Sequence, residues 1–105
     1  AGFDWADASG PRAKVDEELQ ELDRAGSEGD ASRLESELGD LLFSVVNLAR
    51  HLDVDPETAL RRANNRFAAR YRHVERALAA RGLTMDTAGV GLLDQLWAAA
   101  KAENP

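Results

Sequence analysis

The chain has 105 residues, 44% of them apolar, with 13 Lys+Arg against 19 Asp+Glu and no cysteine. Such a length suits one compact domain with a single core, and a net charge of −6 disfavours a general nucleic-acid or anionic-membrane binder, because those surfaces attract positive charge. The lack of thiols excludes disulfides, thiolate zinc sites, iron–sulfur ligation and cysteine nucleophiles, and leaves the redox compartment open.

The start, Ala1-Gly2-Phe3-Asp4-Trp5, is acidic and lacks an initiator methionine; it is no secretory signal and reads as an internal cut from a longer chain. A first helix is expected after Ser9-Gly10-Pro11, with proline in its first turn, fading near Arg24. Ala25 to Ala31 reads as a polar loop. Ser32 followed by Glu35 is a capping-box signal, and Leu34, Leu38, Leu41, Val45, Leu48 and Leu52 then recur at helical spacing, which predicts a second, longer helix. Its greasiest stretch, Leu41 to Ala49, is interrupted by Ser44 and Asn47 and falls well short of the ~20 residues a bilayer span needs. No membrane partner is expected, and the location expected is cytoplasmic. Asp55-Pro56-Glu57 supplies a cap, a proline and a first-turn acid for a third helix, whose stripe runs through Leu60, Ala63, Phe67, Tyr71, Val74 and Leu78 to a stop at Gly82. A last helix is expected from about Leu92 to Ala102. No segment alternates apolar and polar residues with β-branched enrichment, so the fold class is all-α.

Charge is partitioned along the chain. Residues 1 to 40 hold twelve acids and four bases, whereas residues 61 to 81 hold seven arginines and one acid, Glu75. Within the acidic part, Val15 to Leu22 and Leu34 to Leu41 share one template: apolar, x, x, Glu, apolar, x, acid, apolar. At about 100° per residue, Glu18 and Glu37 stand roughly 60° from the apolar reference of each stripe, with Glu21 and Asp40 roughly 120° away on the same side. Folding the two helices back antiparallel across the 25 to 31 loop brings all four carboxylates to one edge of the pair, at heights that agree because Glu18 precedes the loop by about as many residues as Glu37 follows it.

Carboxylates gathered along one seam repel and resist joint ionisation. One such pair alone would be read as fanning into water; two matched pairs favour a divalent cation. Oxygen-only ligation points to Mg2+, with Mn2+ as a substitute, rather than zinc or copper. Glu17 lies about 160° from Val15 and is either a surface residue or an outer ligand or base. Gly39 marks either a close approach or a tolerated exposed glycine. Magnesium held by few carboxylates usually shares its shell with substrate phosphates. Arg62, Arg66 and Arg70 form an i, i+4, i+8 row of forked donors suited to phosphate, while Lys14 and Arg33 flank the acid pairs. Each base alone is equally well read as a partner for a nearby acid. His51 and His73 read as ordinary helix-surface histidines.

The run Glu17-Glu18-Leu19-Gln20-Glu21, then fifteen intervening residues, then Glu37-Leu38-Gly39-Asp40, resembles the EExxE...ExxD signature of the all-α nucleoside triphosphate pyrophosphohydrolases. More narrowly, Gly2-Phe3-Asp4-Trp5, Gly39 to Phe43, Val46 to His51 and Arg62 to Phe67 resemble the C-terminal catalytic domain of the MazG family, nearly end to end. The resemblance implies one domain over residues 1–105, with a four-helix bundle-like fold that commonly dimerises. It also implies magnesium-dependent hydrolysis of a nucleoside triphosphate to the monophosphate and pyrophosphate. Carried over by residue, Glu18, Glu21, Glu37 and Asp40 would be metal ligands, and Glu17 or Glu18 would position or deprotonate the attacking water. Lys14, Arg33, Arg66, Arg70 and Lys101 would meet the phosphates, and Trp97 would stack on the base. Family members often carry lysine where this chain has Arg33 and Arg66, and the family's longer form has two related domains in tandem, so a catalytic fragment or a short relative is expected. The alternatives are a pyrophosphatase restricted to dUTP, dCTP or phosphoribosyl-ATP, and a non-catalytic helical dimerisation or regulatory domain whose acids and arginines are salt bridges. A carboxylate redox bundle is disfavoured, because no Glu-x-x-His occurs.

Overall fold

A computed structural model describes residues 5–105, with side chains from Asp7 onward; Gly2-Phe3-Asp4 of the family-like N-terminal run lies outside the described residues. A 3-10 turn, Trp5–Ala8, leads into four helices: α1 Ser9–Glu28, α2 Ala31–His51, α3 Pro56–Ala80 and α4 Val90–Glu103. Among the described residues there is no strand, as expected for an all-α chain. The residues form two compact units, one ending at Glu57 and the other Thr58–Pro105.

The first unit is the antiparallel α1/α2 hairpin with the 3-10 turn against it. Its connection is much tighter than the polar composition of residues 25 to 31 suggests. Ala25 to Glu28 continue α1, with Ala25 fully buried, and only Gly29 and Asp30 stand outside the two helices. Polar residues do not end a helix; a left-handed residue does, and Gly29 supplies it at φ 68°, its N–H reaching the Gly26 carbonyl at 3.2 Å. The cap of α2 is accordingly Asp30 rather than Ser32, its carboxylate accepting from the Arg33 backbone N–H at 3.2 Å. Proline is tolerated in α1 because Pro11 falls in the first turn, where its missing N–H would have had no helical partner. Of the α2 stripe, Leu34, Leu41, Leu48 and Leu52 are half-buried, while Leu38 and Val45 stay exposed beside Leu42, Phe43 and Val46.

Helix α3, which from Thr58 onward belongs to the second unit, opens as its sequence predicts, with the Asp55 carboxylate accepting from the Glu57 N–H at 3.1 Å. It closes at Ala80, where Gly82 takes φ 70° and the Leu83 N–H returns to the Leu78 carbonyl at 2.9 Å. Helix α4 starts at Val90, ahead of the expected Leu92, behind an extended Gly89. Val74, Leu78, Leu96 and Ala100 make the core, with Leu83, Met85, Leu92, Leu93 and Trp97 packed around it. The outer part of the α3 stripe, Leu60, Phe67 and Tyr71, remains exposed.

Candidate functional site

The hairpin gathers three of the four acids that the template singles out. One carboxylate oxygen from each of Glu18, Glu37 and Asp40 lies within 4.8 Å of the others, Glu18 being buried, Glu37 half-buried and Asp40 exposed. The matching heights are not those of the sequence reading. Because the reversal is at Gly29–Asp30, Glu18 pairs in level with Asp40, and Glu21 with Glu37. Glu21 nevertheless stands outside the cluster, its carboxylate engaged by the Arg24 guanidinium one turn along α1.

Charge compensation around the three acids is partial. Lys14 reaches Glu18 at 3.2 Å and Glu17 at 3.4 Å. These contacts hold Lys14 above the ordinary lysine value, the Glu18 hydrogen bond contributing most and the Glu17 hydrogen bond next. A raised lysine stabilises the fold fully below its unfolded-state pKa of about 10 and loses that contribution only as pH rises through the folded-state value. The ion pair therefore persists through neutral pH. Among the described residues, Glu37 and Asp40 make no hydrogen bond or ion pair. Two oxygens on one Mg2+ at about 2.1 Å can be no more than about 4.2 Å apart, so small side-chain rotations bring this all-oxygen set onto a hard divalent ion.

A recess of about 290 Å³ adjoins the cluster, lined by Lys14, Glu18, Asp40, Phe43, Ser44 and Asn47. Phe43, Ser44 and Asn47 were not assigned roles from sequence. Their signal is the spacing i+3, i+4 and i+7 after Asp40, which sets them on the same face of α2. Ser44 is buried, and its hydroxyl donates to the Leu41 carbonyl at 2.7 Å. Gly39 is exposed, and a Cβ built there meets nothing within 4 Å. Gly39→Ala is expected to raise stability by about 1 kcal/mol, measured by urea unfolding. If turnover nevertheless falls, a ligand approaches the backbone at that point.

The remaining residues expected from sequence are placed as follows. Glu17 is exposed and shared with Glu18 by Lys14. Arg33 is engaged with Glu28 across the reversal. In the second unit, Arg70 donates through Nε to the Asn104 carbonyl at 2.9 Å and through an outer nitrogen to that of Pro105 at 3.3 Å. Arg66 and Lys101 are exposed. Trp97 is half-buried against the core, its ring 5.4 Å from that of Phe67 and tilted by 57°.

Residues 11–75 match the MazG nucleotide pyrophosphohydrolase domain family. The chain is 46% identical over 100 residues to the nucleoside triphosphate pyrophosphohydrolase/pyrophosphatase MazG of Thermotoga maritima, covering 95% of this chain and 38% of that protein. It is 42% identical over 104 residues to the nucleoside triphosphate pyrophosphohydrolase of Escherichia coli K12, covering 97% of this chain and 40% of the relative. A third relative, the uncharacterized protein YabN of Bacillus subtilis, is 37% identical over 68 residues, 65% of this chain and 14% of its own length. The chain thus spans about 40% of the length of the first two relatives. With the acid template, the helical hairpin and these matches in agreement, the chain belongs to the MazG nucleotide pyrophosphohydrolase domain family.

Proposed function

We propose that residues 1–105 form one catalytic domain that hydrolyses nucleoside triphosphates to nucleoside monophosphate and pyrophosphate with Mg2+, Mn2+ serving as a substitute. The observation that carries this reading is the gathering of Glu18, Glu37 and Asp40 oxygens within 4.8 Å, on the hairpin of a chain similar to two pyrophosphohydrolases. Glu18, Glu37 and Asp40 would hold the ion, with Glu21 joining them if it leaves Arg24. When bound, the ion supplies Lewis-acid stabilisation of phosphate oxygens and lowers the pKa of water.

Water attacks one phosphorus of the α–β anhydride, that phosphorus's bond to the bridging oxygen breaks, and monophosphate and pyrophosphate separate. The relatives' names, not any spacing, favour that bond. The water's proton passes to Glu17 or Glu18; Glu17 is favoured because it stands outside the ion-holding set and keeps lone pairs for a water. Lys14, Arg33, Arg66, Arg70 and Lys101 bind phosphate oxygens and balance charge as it develops. Trp97 stacks on the base.

No helix among the described residues is long and apolar enough to cross a membrane. A cytoplasmic enzyme without membrane or nucleic-acid partners fits the acidic balance. Homodimerisation is supported by the apolar side chains that α2 leaves in solvent, Leu38, Leu42, Phe43, Val45 and Val46.

The test is incubation with the eight common NTPs and dNTPs, with and without Mg2+, followed by product analysis. Monophosphate plus pyrophosphate, formed only with the ion, is the expected result. Diphosphate plus phosphate overturns the bond assignment, turnover of a single nucleotide favours a restricted pyrophosphatase, and no turnover favours a regulatory helical domain.

A further inference from the structure

The second unit holds a recess of about 350 Å³ lined by Phe67, Tyr71, Val74, Met85, Leu93, Asp94 and Trp97. Its walls are aromatic or aliphatic at every position but one. Phe67 stands 5.4 Å from Trp97 and 6.3 Å from Tyr71, centroid to centroid, so three rings offer flat apolar surface at one place. The exception is Asp94, an exposed carboxylate that makes no hydrogen bond or ion pair with another described residue.

Helical spacing gives the recess a direction. Asp94 precedes Trp97 by three residues and Lys101 follows it by four, so on α4 the indole is bracketed by an acid on one side and a base on the other. On α3, Arg70 follows Phe67 by three residues, which adds a second cation on the side of the rings that Lys101 occupies. A ligand suited to this arrangement has a flat apolar body, an anionic end and, opposite it, N–H donors. A nucleotide has all three.

An ionised carboxylate only accepts hydrogen bonds, and this decides among the bases. Guanine presents two adjacent donors, N1–H and the 2-amino group, which match a carboxylate's two oxygens. Adenine and cytosine each offer one amino donor beside a ring-nitrogen acceptor, which the carboxylate repels. Uracil and thymine offer one N–H flanked by carbonyls. We propose that Asp94 is the base-reading residue of this recess and that it selects guanine. The inference rests on the nucleotide-substrate reading above but not on its hydrolytic step.

The test uses the full chain carrying Trp5→Phe, so that Trp97 is the sole tryptophan and its fluorescence is excited selectively over that of Tyr71, titrated with GMP, AMP, CMP and UMP. GMP should bind about tenfold more tightly than the others, near the lower end of what a bidentate base contact contributes because the site is open to water. Asp94→Asn replaces one acceptor with a donor, so the GMP preference should vanish and AMP should gain. Asp94→Ala should lose the GMP preference with no gain for AMP. Equal quenching by all four nucleotides, or an unchanged GMP-to-AMP ratio in Asp94→Asn, overturns the proposal. The ratio of kcat/KM for GTP and ATP, measured in the same variants, separates the two readings. Turnover without any Asp94-dependent base ratio sinks the guanine assignment alone; base-selective binding without turnover sinks the hydrolase reading alone.

Discussion

Asp40→Asn is expected to lower Mg2+-dependent turnover of nucleoside triphosphates by at least about 100-fold, since changing a group that only supports a metal ligand already costs about 10- to 100-fold. The same substitution should leave the metal-free fold intact or slightly firmer. Glu18, Glu37 and Asp40 oxygens crowd within 4.8 Å, and of the three Lys14 reaches Glu18 alone; removing one like charge relieves repulsion that the ion would otherwise relieve. Wild type should therefore gain stability on adding Mn2+, by about 2.7 kcal/mol at a hundredfold excess over Kd, and the variant should gain far less. Electron paramagnetic resonance of Mn2+, thermal melting with and without chelator, and product analysis check all three statements. Turnover within a few-fold of wild type would place the ion elsewhere.

The largest structural effect is expected from Leu78→Ala. Leu78 is 1% exposed and lies in the core with Val74, Leu96 and Ala100. Truncation removes buried methyl groups and leaves a cavity, at a cost of about 2–5 kcal/mol. In a chain of this size, each kcal/mol shifts the midpoint by roughly 4–8 °C, so melting should fall by about 10 °C or more. Leu60→Ala, on the same helix but 63% exposed, should change it by less than about 0.5 kcal/mol. Circular dichroism melts of the two variants make the comparison; similar losses would mean that Leu60 is covered in solution.

The acid template could be read from sequence because helical periodicity fixes which face a residue occupies, and Glu18, Glu37 and Asp40 needed only that. The level at which the faces meet depends on where the chain reverses. Composition misplaced that point, spreading it over Ala25 to Ala31, because a polar surface helix and a polar loop use the same residues. The feature that distinguishes them is a single positive φ at Gly29. Glu21 shows a second limit: its spacing is right, yet Arg24 at i+3 competes for it, and a pattern of acids alone does not weigh a neighbouring base. The lining residues Phe43, Ser44, Asn47 and Asp94 carried no charge cluster or motif of their own. They gain meaning only from the recess beside them.

With just Gly29 and Asp30 between the acid-bearing helices, the chain has almost no slack at that corner. Adding one residue to either helix would rotate its carboxylates by about 100° and break the alignment, so the length of this corner is as much a part of the chemistry as the acids are. The entropy lost in assembling the oxyanion trio is spent as the hairpin folds, not when an ion arrives. Cation capture should then proceed with little change in heat capacity, like the loading of a preformed socket.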